Sequence, residues 1–216
     1  MNRNRILISL VLLILVVSLF FYESSANKLS NVIDLKNQYI IDSTDISEKN
    51  DSIYRYSHTF GLYINKYESG DSSCNIVNRA TDIFSIYYDE ISGLVITADT
   101  EILIQEKIPI NQWLHITVVA DNTQFDLYQN GKLIKSAEAA TSQSDYDQDI
   151  TIGDDSWVEK DAFLASYIYF DRKLDPNDVL KIYQEFSNKY NTHSRDIYSV
   201  DVGFLKDKQN LATLTI

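Results

Sequence analysis

The chain has 216 residues with 31 Asp and Glu against 19 Lys and Arg, a net charge of −12, and one cysteine, Cys74. An acidic surface repels phosphate backbones and sulfated glycans, which excludes nucleic acid and heparin-like polymers as partners, and a lone cysteine excludes an intrachain disulfide. The length suits one globular domain with short additional segments.

Residues 1–5 carry Arg3 and Arg5, and Ile6 to Tyr22 then reads ILISLVLLILVVSLFFY, uncharged and almost wholly apolar. That length is at the lower end of what spans a bilayer as a helix. Basic residues before the run and few just after it predict a cytoplasmic N-terminus, with the remainder on the far side of the membrane. A cleaved signal peptide competes, with Ser24 and Ala26 as small residues at cleavage-like positions; the apolar run is longer than the usual signal core, which favours an uncleaved anchor. Taking Arg3 and Arg5 from the 19 basic residues leaves 17 against 31, so residues 23–216 carry −14. Residues 23–37 read as a polar linker, and Asn50-Asp51-Ser52 is a glycosylation sequon if the host makes N-glycans.

From there the chain yields short β-type runs at 38–42, 58–65, 74–78, 83–89, 94–99, 101–105, 113–120, 124–129, 132–136, 149–153 and 162–171, separated by turn-forming clusters. This spacing indicates an antiparallel sandwich rather than an α/β sheet. Cys74 reads as a small buried hydrophobe, with pairing between two chains as the other possibility. In FDLYQNGKLIKS, residues 125–136, Phe125 and Leu127 share one side of a strand and Asp126 and Tyr128 the other. Asn130-Gly131 supplies the two positive-φ residues of a type I′ turn. One helix follows, at 175–187: Asp175 as N-cap, Pro176 first, Asp178 in the first turn, and an apolar stripe of Val179, Ile182, Tyr183 and Phe186 to lie on the sandwich. In the tail, 188–216, DIYSVDVGF and LATLTI can each add a strand, or one can serve as a partner-binding segment.

The order Trp113-x-His115-Ile-Thr-Val-Val, Leu127-Tyr128-Gln-Asn130-Gly131, Ile152-Gly153, and Phe170-Asp-Arg172-Lys-Leu174 leading to Tyr183 resembles the laminin G-like, concanavalin A-like jelly-roll superfamily, over about residues 38–187. The resemblance implies an all-β antiparallel jelly-roll sandwich with a short C-terminal helix, here preceded by the membrane anchor. It also implies that Trp113, His115, Tyr128, Asn130, Gly131, Gly153, Arg172 and Leu174 are scaffold residues. The family's usual glycine and acidic pair in the last core strand are replaced by Ala162, Ala165 and Ser166, so a metal or ligand contact built on those carboxylates is not implied here.

Trp113 and His115 point the same way on a strand. His58 and His193 do not form a metal spacing. For glycoside hydrolysis the nearest carboxylate pair is Glu101 and Glu106; their interval of five places them on opposite faces unless a bulge intervenes, so no catalytic residue is assigned. Asp145, Asp147, Asp149, Asp154 and Asp155 flank the ITIG run, and Asp147, Asp149, Asp154 and Asp155 are the candidate ligands of a calcium ion. Binding residues are expected on loops at the sandwich rim, 67–73, 142–149 and 153–161, rather than on Trp113 or His115, with Trp157, Asp154, Asp155 and Tyr146 as candidate contacts to a sugar. A Trp157 that instead caps the core edge would be packing only. By analogy with the family, the expected function is a membrane-anchored, non-catalytic recognition or adhesion module for glycan or protein. A structural component of a membrane-bound particle or surface layer is the alternative, and a glycoside hydrolase a more distant one.

Overall fold

The computed structural model describes residues 27–46, 55–66, 73–79, 84–98, 101–138, 148–158, 160–196, 202–206 and 209–214. The anticipated anchor at 6–22 and the sequon lie outside them; among the described residues no helix is long and apolar enough to cross a membrane.

Two six-stranded antiparallel sheets form the sandwich. The first has the order β1-β12-β3-β8-β9-β10: β1 is Asn27–Asp34, β3 Arg55–Lys66, β8 Leu114–Asp121, β9 Gln124–Gln129, β10 Lys132–Glu138 and β12 Asp161–Phe170. The second has the order β2-β11-β4-β5-β6-β7: β2 is Tyr39–Ile41, β4 Cys74–Arg79, β5 Phe84–Asp89, β6 Gly93–Ala98, β7 Glu101–Glu106 and β11 Ile150–Ile152. Two tail strands, β13 (Val202–Lys206) and β14 (Gln209–Leu214), pair with each other, where the tail sequence anticipates strands. Each anticipated β run of the domain is a strand, within a few residues at its ends.

Strand β1 departs from the expected linker. Its pairing with β12 slips between Leu29 and Val32, and this bulge breaks the alternation by which a strand is recognised. Among the described residues the sandwich therefore already includes residues 27–34, ahead of the expected start at 38.

Alternation places the even residues of β3 and β8 (Tyr56, His58, Phe60, Leu62; Leu114, Ile116, Val118) inside the sandwich, against Ile76, Phe84, Ile86, Leu94 and Ile96 of the facing sheet. Cys74 is fully buried in this core. Two buried polar contacts lie there: His58 Nδ1 is 2.7 Å from the Tyr167 hydroxyl, and Arg79 donates to the Tyr169 hydroxyl at 3.0 Å while its guanidinium sits 5.5 Å from that ring's centre. Burial, aided by the Arg79 charge, pulls the His58 pKa down to about 3, so the imidazole is neutral.

The odd residues of β3 and β8 face outward, where the helix α1 (Pro176–Asp196) covers them. Its start is as expected: Asp175 Oδ1 accepts from the backbone N–H groups of Asn177 at 2.8 Å and Asp178 at 2.9 Å. Its end is not, since the helix continues beyond 187 through Asn188, Asn191, Thr192 and His193, residues of middling helix propensity. A second apolar cluster of Val119, Tyr128, Phe170, Leu174 and Val179 joins helix to sheet. Phe186 sits over Gly61, which pairs across the sheet with Ala165 and His115. A Cβ at Gly61 would fall within the Phe186 ring. Gly61→Ala is therefore expected to lower the urea midpoint by the equivalent of about 1–3 kcal/mol, because ring and helix must shift.

Candidate functional site

The rim residues nominated from the sequence are largely occupied by the fold. Trp157 is fully buried, in a short 3-10 turn at Asp155–Trp157, and its indole N–H donates to the Asn75 carbonyl at 2.5 Å. It belongs to the sandwich core rather than to a binding rim, so the expected stacking on a sugar is corrected to packing. Asp154 caps the same turn: its carboxylate accepts from the Ser156 backbone N–H at 2.9 Å, from the Ser156 hydroxyl, and from Asn75 Nδ2 at 2.5 Å. Asp155 is exposed. Tyr146 and Asp147 lie outside the described residues, as do most of loops 67–73 and 142–149.

The calcium set is divided by β11. Asp149, before the strand, accepts from the Ser43 backbone N–H at 2.8 Å. Asp154, after it, is held at the opposite end by Asn75 and, through its own backbone N–H, by the Leu35 carbonyl at 3.0 Å. At ~3.3 Å per residue the two carboxylates stand on the order of 15 Å apart, whereas calcium ligands approach the ion to ~2.3–2.6 Å. Asp149 and Asp154 thus cannot serve one ion, and among the described residues no group of three or more potential ligands gathers elsewhere.

Six of the signature residues, Tyr128, Asn130, Gly131, Gly153, Arg172 and Leu174, act as scaffold. Asn130 (φ 50°) and Gly131 (φ 75°) make the two-residue turn between β9 and β10, with Lys132 opposite Gln129. Asn130 also ties the hairpin to β8: its Oδ1 accepts from the His115 backbone N–H at 2.9 Å and its own N–H donates to the His115 carbonyl at 2.8 Å. Gly153 (φ 67°) has no room for a side chain against the Leu35 carbonyl. Arg172 pairs with Asp178 at 2.7 Å, and the buried Leu174 donates its N–H to Ser57 Oγ at 3.1 Å. Tyr128 is buried in the helix–sheet cluster.

The outer face of the first sheet holds what the sequence did not disclose. Trp113 and His115 do share a face, and both contact Phe186, with ring centres 6.2 and 5.1 Å away. Around Trp113 lie Tyr63 at 5.4 Å and Tyr190 at 5.3 Å, and Phe163 is 6.5 Å from Tyr63. Trp113, Tyr63, Phe163 and Tyr190 are all half-buried, forming an aromatic shelf across strand ends and helix rather than on loops. Beside it, between helix and sheet, is a cavity of about 130 Å³. His115 and Ser166 supply its polar wall, Ile168, Ile182 and Phe186 its apolar one, and Glu185 and Lys189 are the charged residues that line it. Ser166, at φ 50° in the bulge of β12, donates to the Tyr190 hydroxyl at 3.3 Å, which links cavity and shelf. His115 is buried; its Nε2 meets Thr59 Oγ1 at 2.9 Å, and its Nδ1 has no hydrogen-bond partner among the described residues. Burial lowers its pKa to about 4, so it too is neutral.

Glu101 and Glu106 do not form a hydrolytic pair. A bulge between Ile96 and Thr97 does bring them to one side of β7, opposite Ala98 and Leu94. The four-residue offset between those partners nevertheless separates them by roughly 13 Å, beyond the ~5–9.5 Å over which two carboxylates share one glycosidic bond. Glu106 instead lies 3.6 Å from Lys135.

In comparisons with known proteins, no curated protein matches the sequence as a relative. Among solved structures the chain is similar to the receptor binding domain of botulinum neurotoxin C/D mosaic serotype, at 14% identity and a TM-score of 0.63, covering 76% of this chain and 47% of that one. It is also similar to the binding domain of botulinum neurotoxin DC in complex with rat synaptotagmin II, at 18% identity and a TM-score of 0.59, with 76% and 47% covered. The likeness is one of fold, and the chain spans about half the length of these structures. The family model for the concanavalin A-like lectin/glucanases superfamily, Laminin_G_3, matches residues 42–180, and with the two-sheet sandwich this places the chain in that family.

Proposed function

We propose that the chain is a non-catalytic recognition module that binds a neutral glycan or a protein, held at the outer side of a membrane by the apolar run at 6–22. The observation that carries this reading is the half-exposed aromatic shelf of Trp113, Tyr63, Phe163 and Tyr190, set beside a cavity with a polar wall. Aromatic side chains offer a large apolar face at low entropic cost, and pyranose rings and protein hot spots both use such faces. The similar botulinum neurotoxin domains are binding domains, one solved with synaptotagmin II and one with SialylT, which supports the class without specifying the ligand. The net charge of −12 favours neutral over anionic sugars. The anchor rests on the sequence of residues 6–22 alone; protease protection of the N-terminus, with digestion of the domain, on intact cells is the expected result if it is right.

A glycan array probed with the full chain in detergent tests the reading. Selective binding to neutral glycans is expected, and Trp113→Ala is expected to weaken binding at least about tenfold, equivalent to ~1.4 kcal/mol. Absence of binding to every glycan, together with tight self-association, would instead favour a structural role.

A further inference from the structure

We propose that the chain is a load-bearing link: tension between a partner held on the aromatic shelf and the membrane anchor crosses the sandwich as shear between β1 and β12. This deepens the preceding reading and rests on it. The first observation is where the two points of attachment lie. Only residues 23–26 separate the apolar run from β1, and Asn27, the first residue of β1, stands opposite Tyr169. The same end of the sheet holds Ser57 opposite Phe170 and Arg55 opposite Asp121. The shelf is at the other end. Phe163 stands opposite Asp34 on one side and Tyr63 on the other, and Trp113 directly precedes Leu114, which pairs with Leu62. From Tyr169 back to Phe163 is 169 − 163 = 6 residues of strand, ~20 Å at ~3.3 Å each. The helix covers the same span: it starts near Leu174, bonded to Ser57, and rises ~1.5 Å per residue from Pro176 to Tyr190, ~21 Å in all. A partner bound on the shelf therefore pulls against the anchor along the strands.

The second observation is how β1 is held. Among the described residues it is an edge strand whose one sheet neighbour is β12. A pull from the anchor acts along β1, across a ladder whose hydrogen bonds run perpendicular to the strands, so the pairs from Asn27 and Tyr169 to Asp34 and Phe163 must give way together. Pulled crosswise, the same ladder would open bond by bond from Asn27. Slippage is no easier route. A shift of one residue would turn the buried Ile33 out of the core and the exposed Val32 into it, and the bulge between Leu29 and Val32 would have to move as well.

The third observation is a stop at the shelf end of β1. Leu35, fully buried, donates its N–H to the Ala162 carbonyl at 3.0 Å, and its own carbonyl accepts from the Asp154 N–H at 3.0 Å. It is thereby tied to β12 of one sheet and to the segment that follows β11 of the other. Gly153 lies so close to the Leu35 carbonyl that no side chain would fit between them. Drawing β1 toward the anchor means extracting Leu35 from both sheets.

Force spectroscopy on the full chain in detergent tests this with neither glycan nor membrane present. One handle is fixed to the N-terminus and the other to a cysteine introduced at an exposed position, the native Cys74 being buried. Gln112→Cys places it beside the shelf, and Thr123→Cys places it in the turn between β8 and β9 at the anchor end. The first geometry loads β1 along its length. The second loads it crosswise, since β8 lies across β12 and β3 from it. Forced unfolding follows the barrier to unfolding, so at one loading rate the Gln112 geometry is expected to need a several-fold higher force than the Thr123 geometry. Equal forces, or a weaker Gln112 geometry, would overturn the link and leave the recognition module standing. A resistant Gln112 geometry in a chain whose N-terminus is digested on intact cells would overturn it by removing the anchor.

Discussion

Acidification from about pH 6.5 to pH 4 is expected to lower the melting temperature steeply, with the fall starting above the range in which ordinary carboxylates are neutralised. His58 and His115 are neutral in the fold, with pKa values pulled by burial to about 3 and about 4, whereas in the unfolded chain they take up a proton near pH 6.5. Between those values the unfolded state binds more protons than the native state, so stability falls as pH falls. At ~1.4 kcal/mol per pH unit, each histidine withdraws roughly 3 kcal/mol by pH 4. Together they approach the whole stability of an ordinary domain, ~5–15 kcal/mol. Thermal melts at half-unit steps of pH test this. His58→Phe should flatten the slope by about half, and a parent whose melting temperature is unchanged between pH 6.5 and 4.5 would contradict the burial of both rings.

Trp157→Ala is expected to cost about 3–5 kcal/mol, the range for truncating a large buried aromatic. In a domain of this size that is a fall on the order of 10 °C in melting temperature. The loss has two parts: a cavity in the core shared with Cys74 and Ile76, and the Asn75 carbonyl left without the indole N–H. Binding by molecules that remain folded at low temperature should be unaffected, since the shelf and the His115 cavity are built from other residues. A variant that kept its melting temperature would place the indole at the surface.

The features legible in the sequence were those whose cause is local. Asn130-Gly131 announces its turn because few other residue pairs tolerate two positive φ angles in succession. Asp175-Pro176 marks a helix start because capping and a fixed φ act within three residues. Where a partner lies far along the chain, the same reasoning fails. Trp157 is surrounded in sequence by Asp154, Asp155, Ser156 and Lys160, and nothing nearby indicates that its N–H is met by Asn75 from β4. The acidic residues around ITIG are neighbours in sequence and strangers in space, because an extended strand carries its ends apart. The cavity is the extreme case. Its lining comes from β8, β12 and the helix, and in the sequence Ser166 stands out only as a departure from the carboxylate the family often has. The helical stripe Val179, Ile182, Tyr183 and Phe186 was readable, but that Gly61 and Ala165 leave space for its last member was not.

The pairing of β1 with β12 governs when this protein can fold during its synthesis. Ile33 finds its register partner at Leu164, so β1 waits for the last strand of the sandwich to leave the ribosome. Until then β3 lacks β12, the neighbour that separates it from β1, and presents an open backbone edge of the kind on which chains aggregate. Pairings so distant in sequence are slow to form, because the entropy of closing the intervening loop is spent before the contacts repay it. The nascent chain therefore remains unfolded until β12 has emerged, and a ribosome stalled before residue 161 would hold a protease-sensitive polypeptide that one stalled well beyond the helix would not.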